Sequence, residues 1–136
     1  MKKILVLMIL LMAVLGCKEI KKTTISGTVT NGGSPVSGAI VLLLESDLLT
    51  AGMSLKNGTF TSSEGKYEII RVESGIYYIP AIKDENGNWK YDNGTDMFGW
   101  YGERDTLTSL TIPAPVAVTE GDDLTGIDID TLYVVP

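Results

Sequence analysis

Residues Gly58 to Asp84 read GTFTSSEGKYEIIRVESGIYYIPAIKD, and the punctuation of this stretch decides the fold. The tight-turn tripeptides EGK (Glu64–Lys66) and ESG (Glu73–Gly75) cut it into three short pieces. Gly58–Ser62 is brief. Lys66–Val72 alternates, with Tyr67, Ile69 and Arg71 set against Glu68, Ile70 and Val72. Ile76–Lys83 is β-branched and aromatic. Each piece is too short for a globular helix, and a period of two is the mark of a half-buried strand. Tyr77 and Tyr78 are adjacent, so on extended backbone they point to opposite faces.

The same grammar continues outward. TISGTVT (Thr24–Thr30) places Ile25, Gly27 and Val29 on one face. The cluster NGGSPVSGA turns the chain. AIVLLLE (Ala39–Glu45) is an apolar run bounded by turn signals, which predicts a buried strand. Ser46–Gly58 has no clear period and is read as irregular. Beyond residue 106, Leu107–Ile112 is extended or partly loop, and Pro113 and Pro115 confine their neighbourhood to an edge. Val116–Thr119 is a short strand, EGDD a turn, and Leu124–Val134 a closing strand with Ile127, Ile129 and Thr131 alternating against Asp128 and Asp130. Neither a long amphipathic helix nor a fixed-period repeat is present. Seven or so short strands predict an all-β, antiparallel Greek-key sandwich.

The beginning of the chain reads as an address. Lys2 and Lys3 precede an unbroken apolar run, Ile4–Val14. The run is too short to span a bilayer, which takes about 20 residues, and suits the core of a signal peptide. It leads to VLGC, where small Gly16 precedes the chain's one cysteine, Cys17. This resembles the lipobox of bacterial lipoproteins. The resemblance implies cleavage before Cys17, a diacylglycerol on its sulfur, and anchorage to the bacterial cell membrane or outer membrane. The expected division is residues 1–16 signal peptide, 17–24 lipidated cysteine and tether, and 25–136 β-sandwich domain.

Composition narrows the chemistry. Loss of Lys2 and Lys3 with the leader takes eleven basic residues to nine, against seventeen acidic, a net charge of −8. An acidic surface argues against nucleic acid as a partner. There is no histidine and, once Cys17 is lipidated, no thiol. Ser-His-Asp triads, His- or Cys-ligated zinc and disulfides are thereby excluded. About 120 mature residues suffice for one core. A glycosidase needs two carboxyls set apart in a cleft, for which so small a domain has little room. A non-enzymatic module is therefore expected.

The segments ISGTVTNGGSPVSGAIVLL and GTFTSSEGKYEIIRVESGIYYIPAIKDENGNW resemble the carboxypeptidase-regulatory-like and transthyretin-like β-sandwich group. The likeness covers Ile25–Asp84 and resumes at the last strand, and it implies a fold more than a function. Exported bacterial relatives of that group carry DxNGNGxxDxGD followed by an aromatic GxY. Asp84–Tyr101 is similar, with Trp89 where the pattern has its second glycine. Relatives with Lys–Asn isopeptide bonds hold the lysine inside the first strand, whereas Lys22 precedes it.

That loop, DENGNWKYDNGTD (Asp84–Asp96), is the candidate site. Counted from Asp84, side-chain oxygens fall at positions one, three, five and nine (Asp84, Asn86, Asn88, Asp92), with the Lys90 carbonyl at seven. Calcium takes six to eight oxygens at such spacing. The twelfth position is Thr95 rather than glutamate, with Asp96 following, and Gly87 and Gly94 supply turn freedom. A modest calcium site between strands is expected, held by Asp84, Asn86, Asn88, Lys90, Asp92 and Asp96. A plain Asx-rich turn explains the same composition, since these side chains bond their own backbone. Trp89, Tyr91, Phe98, Trp100 and Tyr101 allow two further readings. They cap the open end of the core, or Trp89, Tyr91, Trp100 and Tyr101 bind a carbohydrate. The functional expectation is a lipid-anchored envelope module that binds an envelope protein or glycan. The alternatives are a carbohydrate-binding module and an accessory to an envelope enzyme or transport system.

Overall fold

A computed structural model of the protein describes residues 21–136. The expected signal peptide and the lipidated Cys17 lie outside the described residues. Within them the chain is all-β, without a helix, and built from several mainly antiparallel sheets consistent with a sandwich.

One layer pairs β1 (Thr24–Thr28) with β6 (Lys66–Ile70), and on its other side with β13 (Asp123–Leu124). The other layer is the sheet β5 (Thr59–Phe60), β4 (Ile40–Val41), β8 (Pro80–Lys83) and β9 (Met97–Trp100), in that spatial order. β7 (Gly75–Tyr77) precedes β8 by two residues and pairs with β12 (Val116–Val118). Tyr78, between β7 and β8, still bridges to Leu44, so this ribbon prolongs the second layer. Two hairpins complete the set: β2 (Thr30–Asn31) with β3 (Ser34–Pro35), and β10 (Gly102–Arg104) with β11 (Thr111–Pro113).

The second layer is buried on both faces, which explains why Ala39–Leu44 is apolar throughout rather than alternating. Ala39, Val41 and Leu43 enter a first core between the layers, with Ile25, Val29, Tyr67, Ile79, Ile127 and Ile129. Ile40, Leu42 and Leu44 enter a second core with Leu55, Ile82, Tyr91, Phe98 and Trp100. Tyr77 packs against the first core and Tyr78 against the second, as the pleat requires. At roughly 1.5–3 kcal/mol for each fully buried large apolar side chain, both cores are indispensable to so small a domain. Among the described residues no third sheet covers the second core. Leu49, Met53 and Leu55 cover it from the irregular Ser46–Gly58 stretch, and Tyr133 and Val135 from the last residues.

Several sequence expectations are corrected. In Lys66–Val72 the alternation breaks at its end: Arg71 takes a left-handed φ of 58° and Val72, not Arg71, turns inward. Ile76–Lys83 is two strands, not one. Leu124–Val134 forms only the short β13 and single bridges, and it runs parallel to β1, not antiparallel. Its inward Ile127 and Ile129 do alternate with exposed Asp128 and Asp130. Gly27 permits this close approach, because a Cβ there would overlap the Ile127 carbonyl. The Tyr67 hydroxyl donates to the same carbonyl at 2.6 Å, and burial raises its phenol pKa strongly. Farther on, Tyr133 leaves the β1 layer and bridges Phe98 on β9, so the tail ties the two layers together.

Candidate functional site

The turn Arg71–Ser74 lies beside Lys21–Thr23, since the N–H of Val72 donates to the Thr23 carbonyl. β7 and β8 run away from that turn. The Asp84–Asp96 loop, which follows Lys83, therefore sits at the opposite end of the sandwich from the segment leading back to Cys17.

The loop is held by its own side chains. Asp84 accepts the N–H of Gly87 at 2.8 Å and of Trp89 at 2.9 Å, one on each carboxylate oxygen. Asn86 Oδ1 accepts from the Asn88 N–H (3.0 Å), and Asn88 Oδ1 from the Lys90 N–H (2.9 Å). Both carboxamides then donate to one oxygen, Asp92 Oδ2, Asn86 at 2.9 Å and Asn88 at 2.5 Å. These two donors hold the Asp92 carboxyl below its ordinary pKa, with a smaller contribution from Lys90. Positions three, five and nine of the calcium spacing thus meet at a single atom.

Asp96 does something different. It is fully buried, and its oxygens accept the N–H of Glu85 (3.0 Å) and of Asp92 (2.8 Å). It joins the start of the loop to its end from below. Outside, the segment Trp89–Tyr91 zips onto Met53–Leu55: the Leu55 N–H donates to Trp89 and the Tyr91 N–H to Met53, both at 3.0 Å. Lys90, opposite Ser54 between these two bonds, turns its own N–H and C=O toward the loop interior. The Gly94 N–H reaches the Val135 carbonyl at 2.7 Å.

The aromatic candidates separate cleanly. Tyr91 and Trp100 retain only 2% and 6% of their surface and belong to the second core. Tyr91 packs edge-on against Phe98 (5.5 Å between ring centres), and Phe98 against Tyr133 (4.6 Å). Tyr101 is half-buried against the first core. Trp89 alone of the four is exposed, at 42%. It stands edge-to-face with Phe60, 5.5 Å between ring centres and 88° between planes, and Phe60 is 52% exposed. Sequence reasoning passed over Phe60. Its signal was a large aromatic flanked by threonines in a strand only two residues long.

Among the described residues no three acidic side chains are grouped closely enough to hold a metal by carboxylates alone. The donor set at the loop is two carboxylates, two carboxamides and a backbone carbonyl, all hard oxygens of the kind calcium takes. A cleft of about 580 Å³ lies at the other end, lined by Lys21, Lys22, Arg71, Glu73 and Glu120. Its charged lining is mixed, three cations and two carboxylates, with the hydroxyls of Thr23 and Ser74 among them.

No family model, no curated protein and no solved structure matches this chain.

Proposed function

We propose that this protein is an exported, lipid-anchored, non-enzymatic module of the bacterial envelope, and that a calcium-stabilised loop at Asp84–Asp96 forms its outward end. In this reading the domain is a Greek-key sandwich of the carboxypeptidase-regulatory-like kind. Cys17 carries the lipid, and the partner is an envelope protein or glycan rather than nucleic acid.

One observation carries the loop reading: the carboxamides of Asn86 and Asn88 and the carboxylate of Asp92 converge on one point. These are side chains that calcium spacing demands, and Asp84 Oδ1 and Oδ2 organise the backbone around them. A cation entering there would take the place of the two amide donors as the neutraliser of Asp92. Rotation of the carboxamides about their terminal bonds would present oxygens in place of nitrogens, in exchange for the bonds these oxygens accept from the Asn88 and Lys90 N–H groups. With two neutral donors among the early positions, affinity falls in the range of extracellular calcium modules, roughly 10⁻⁴–10⁻³ M.

Isothermal titration of the chain starting at Lys18 with calcium tests the loop. Saturable heat supports the reading, and its loss in Asp92→Ala assigns it to this site. Absence of heat up to millimolar calcium removes it. The anchor is tested separately by the intact mass of the membrane-extracted protein, which carries two or three acyl chains on a chain beginning at Cys17 if the reading holds.

A further inference from the structure

Trp89 has a left-handed φ of 61°. Such a conformation in a bulky residue costs about 1–3 kcal/mol and persists only where the surroundings enforce it. Here they do: its N–H is bound by Asp84 and its carbonyl by Leu55. Glycine would sit at this position without strain. The chain instead places its largest side chain there, outside the core, against an equally exposed Phe60. Neither ring is needed to cover the second core, which is closed by Tyr91, Leu55 and Met53.

The geometry points to a carbohydrate site: the Trp89–Phe60 corner stacks on the C–H face of a pyranose ring at the end of the domain away from the anchor. The size of the apolar surface argues for this occupant. Two aromatic side chains of about 150–250 Å² each, roughly half exposed, offer on the order of 200 Å² together. A stable protein partner takes about 800 Å² from each side, so the pair is too small for a protein interface and matches one or two sugar rings. Its perpendicular rings form a step, on which a sugar lies flat against one ring and abuts the other. Exposed cationic side chains neighbour the pair along the chain: Lys90 follows Trp89, and Lys56 follows its partner Leu55. These suit equatorial hydroxyls. Tyr91 and Trp100, being buried, take no part.

This inference rests on the reading of the chain as a binding module, and its test is independent of the metal. The full-length protein, in a sugar-free detergent, is titrated with cellohexaose and with chitohexaose by calorimetry and tryptophan emission. Saturable heat with one of them and a changed emission are expected, since only Trp89 of the two tryptophans is exposed. Trp89→Gly removes the ring while relieving the backbone, and Phe60→Ala removes the other wall. Each should weaken binding about tenfold or more, and the melting temperature of Trp89→Gly should stay at or above that of the parent. No heat with either sugar overturns the inference, as does unchanged affinity in both variants. A calcium response without sugar heat sinks this inference alone, and sugar heat without a calcium response sinks the metal reading alone.

Discussion

Asp96→Ala should be the most damaging single change in the loop, and the reason is local. The side chain is fully buried, and its two oxygens accept backbone N–H groups from residues at opposite ends of the loop. Alanine would leave two donors without a partner beneath a closed lid. Each hydrogen bond to a charged group contributes about 1.5–3 kcal/mol, so the loss of two is about 3–6 kcal/mol. For a domain of this size, about 1 kcal/mol corresponds to roughly 4 °C in melting temperature. The expected fall is therefore about 12–24 °C. Asp96→Asn keeps one acceptor oxygen but turns an NH₂ toward the other donor, and should lose about half as much. The assay is thermal and urea unfolding of the chain from Lys18, followed by circular dichroism. A fall below about 4 °C for Asp96→Ala would refute the argument that this carboxylate pins the loop.

Two further outcomes follow from the same geometry. Gly27→Ala would drive a methyl group into the Ile127 carbonyl and lever the closing segment off β1, and should cost several kcal/mol, at least about 3, read as a shift in urea midpoint. Asp92 has a depressed folded-state pKa from its carboxamide donors, so its stabilising contribution is present above the ordinary carboxylate value of about 3.9 and is lost as pH falls through the lower folded value. Asp92→Asn should therefore flatten the fall in stability on acidification below about pH 4, measured as melting temperature against pH; an unchanged slope would count against those hydrogen bonds.

Much of the fold was legible because it rests on short-range signals. Turn clusters at Asn31–Gly38, Glu64–Lys66 and Glu73–Gly75 marked real reversals, and the alternation of Ile127 and Ile129 with aspartates predicted their burial. What stayed hidden depends on distant partners. Arg71 takes a left-handed φ at the strand end, and nothing in RVES announces it. Met97–Trp100 carries no strand signal in the sequence because both of its faces are buried, Phe98 and Trp100 to one core and Met97 to the other. A strand apolar on both faces loses the period that identifies it. The parallel course of the last segment depends on Gly27, a hundred residues from Ile127. At the loop, three of the spaced side chains meet, Asn86 and Asn88 at Asp92, whereas Asp84 binds the backbone N–H groups of Gly87 and Trp89 instead. The special place of Asp96 beneath them did not show, because burial is not written into an Asx-rich run. Phe60 belonged to another strand, and only the fold brings it to Trp89.

The most direct test of the central claim compares the melting temperature of the Lys18–Pro136 chain in about 10 mM calcium and in excess chelator. With a dissociation constant of about 10⁻⁴–10⁻³ M, that calcium concentration contributes about 1.4–2.7 kcal/mol. A rise of about 6–11 °C is expected, reversed by chelator and absent in Asp92→Ala. Identical melting curves in calcium and chelator would contradict it.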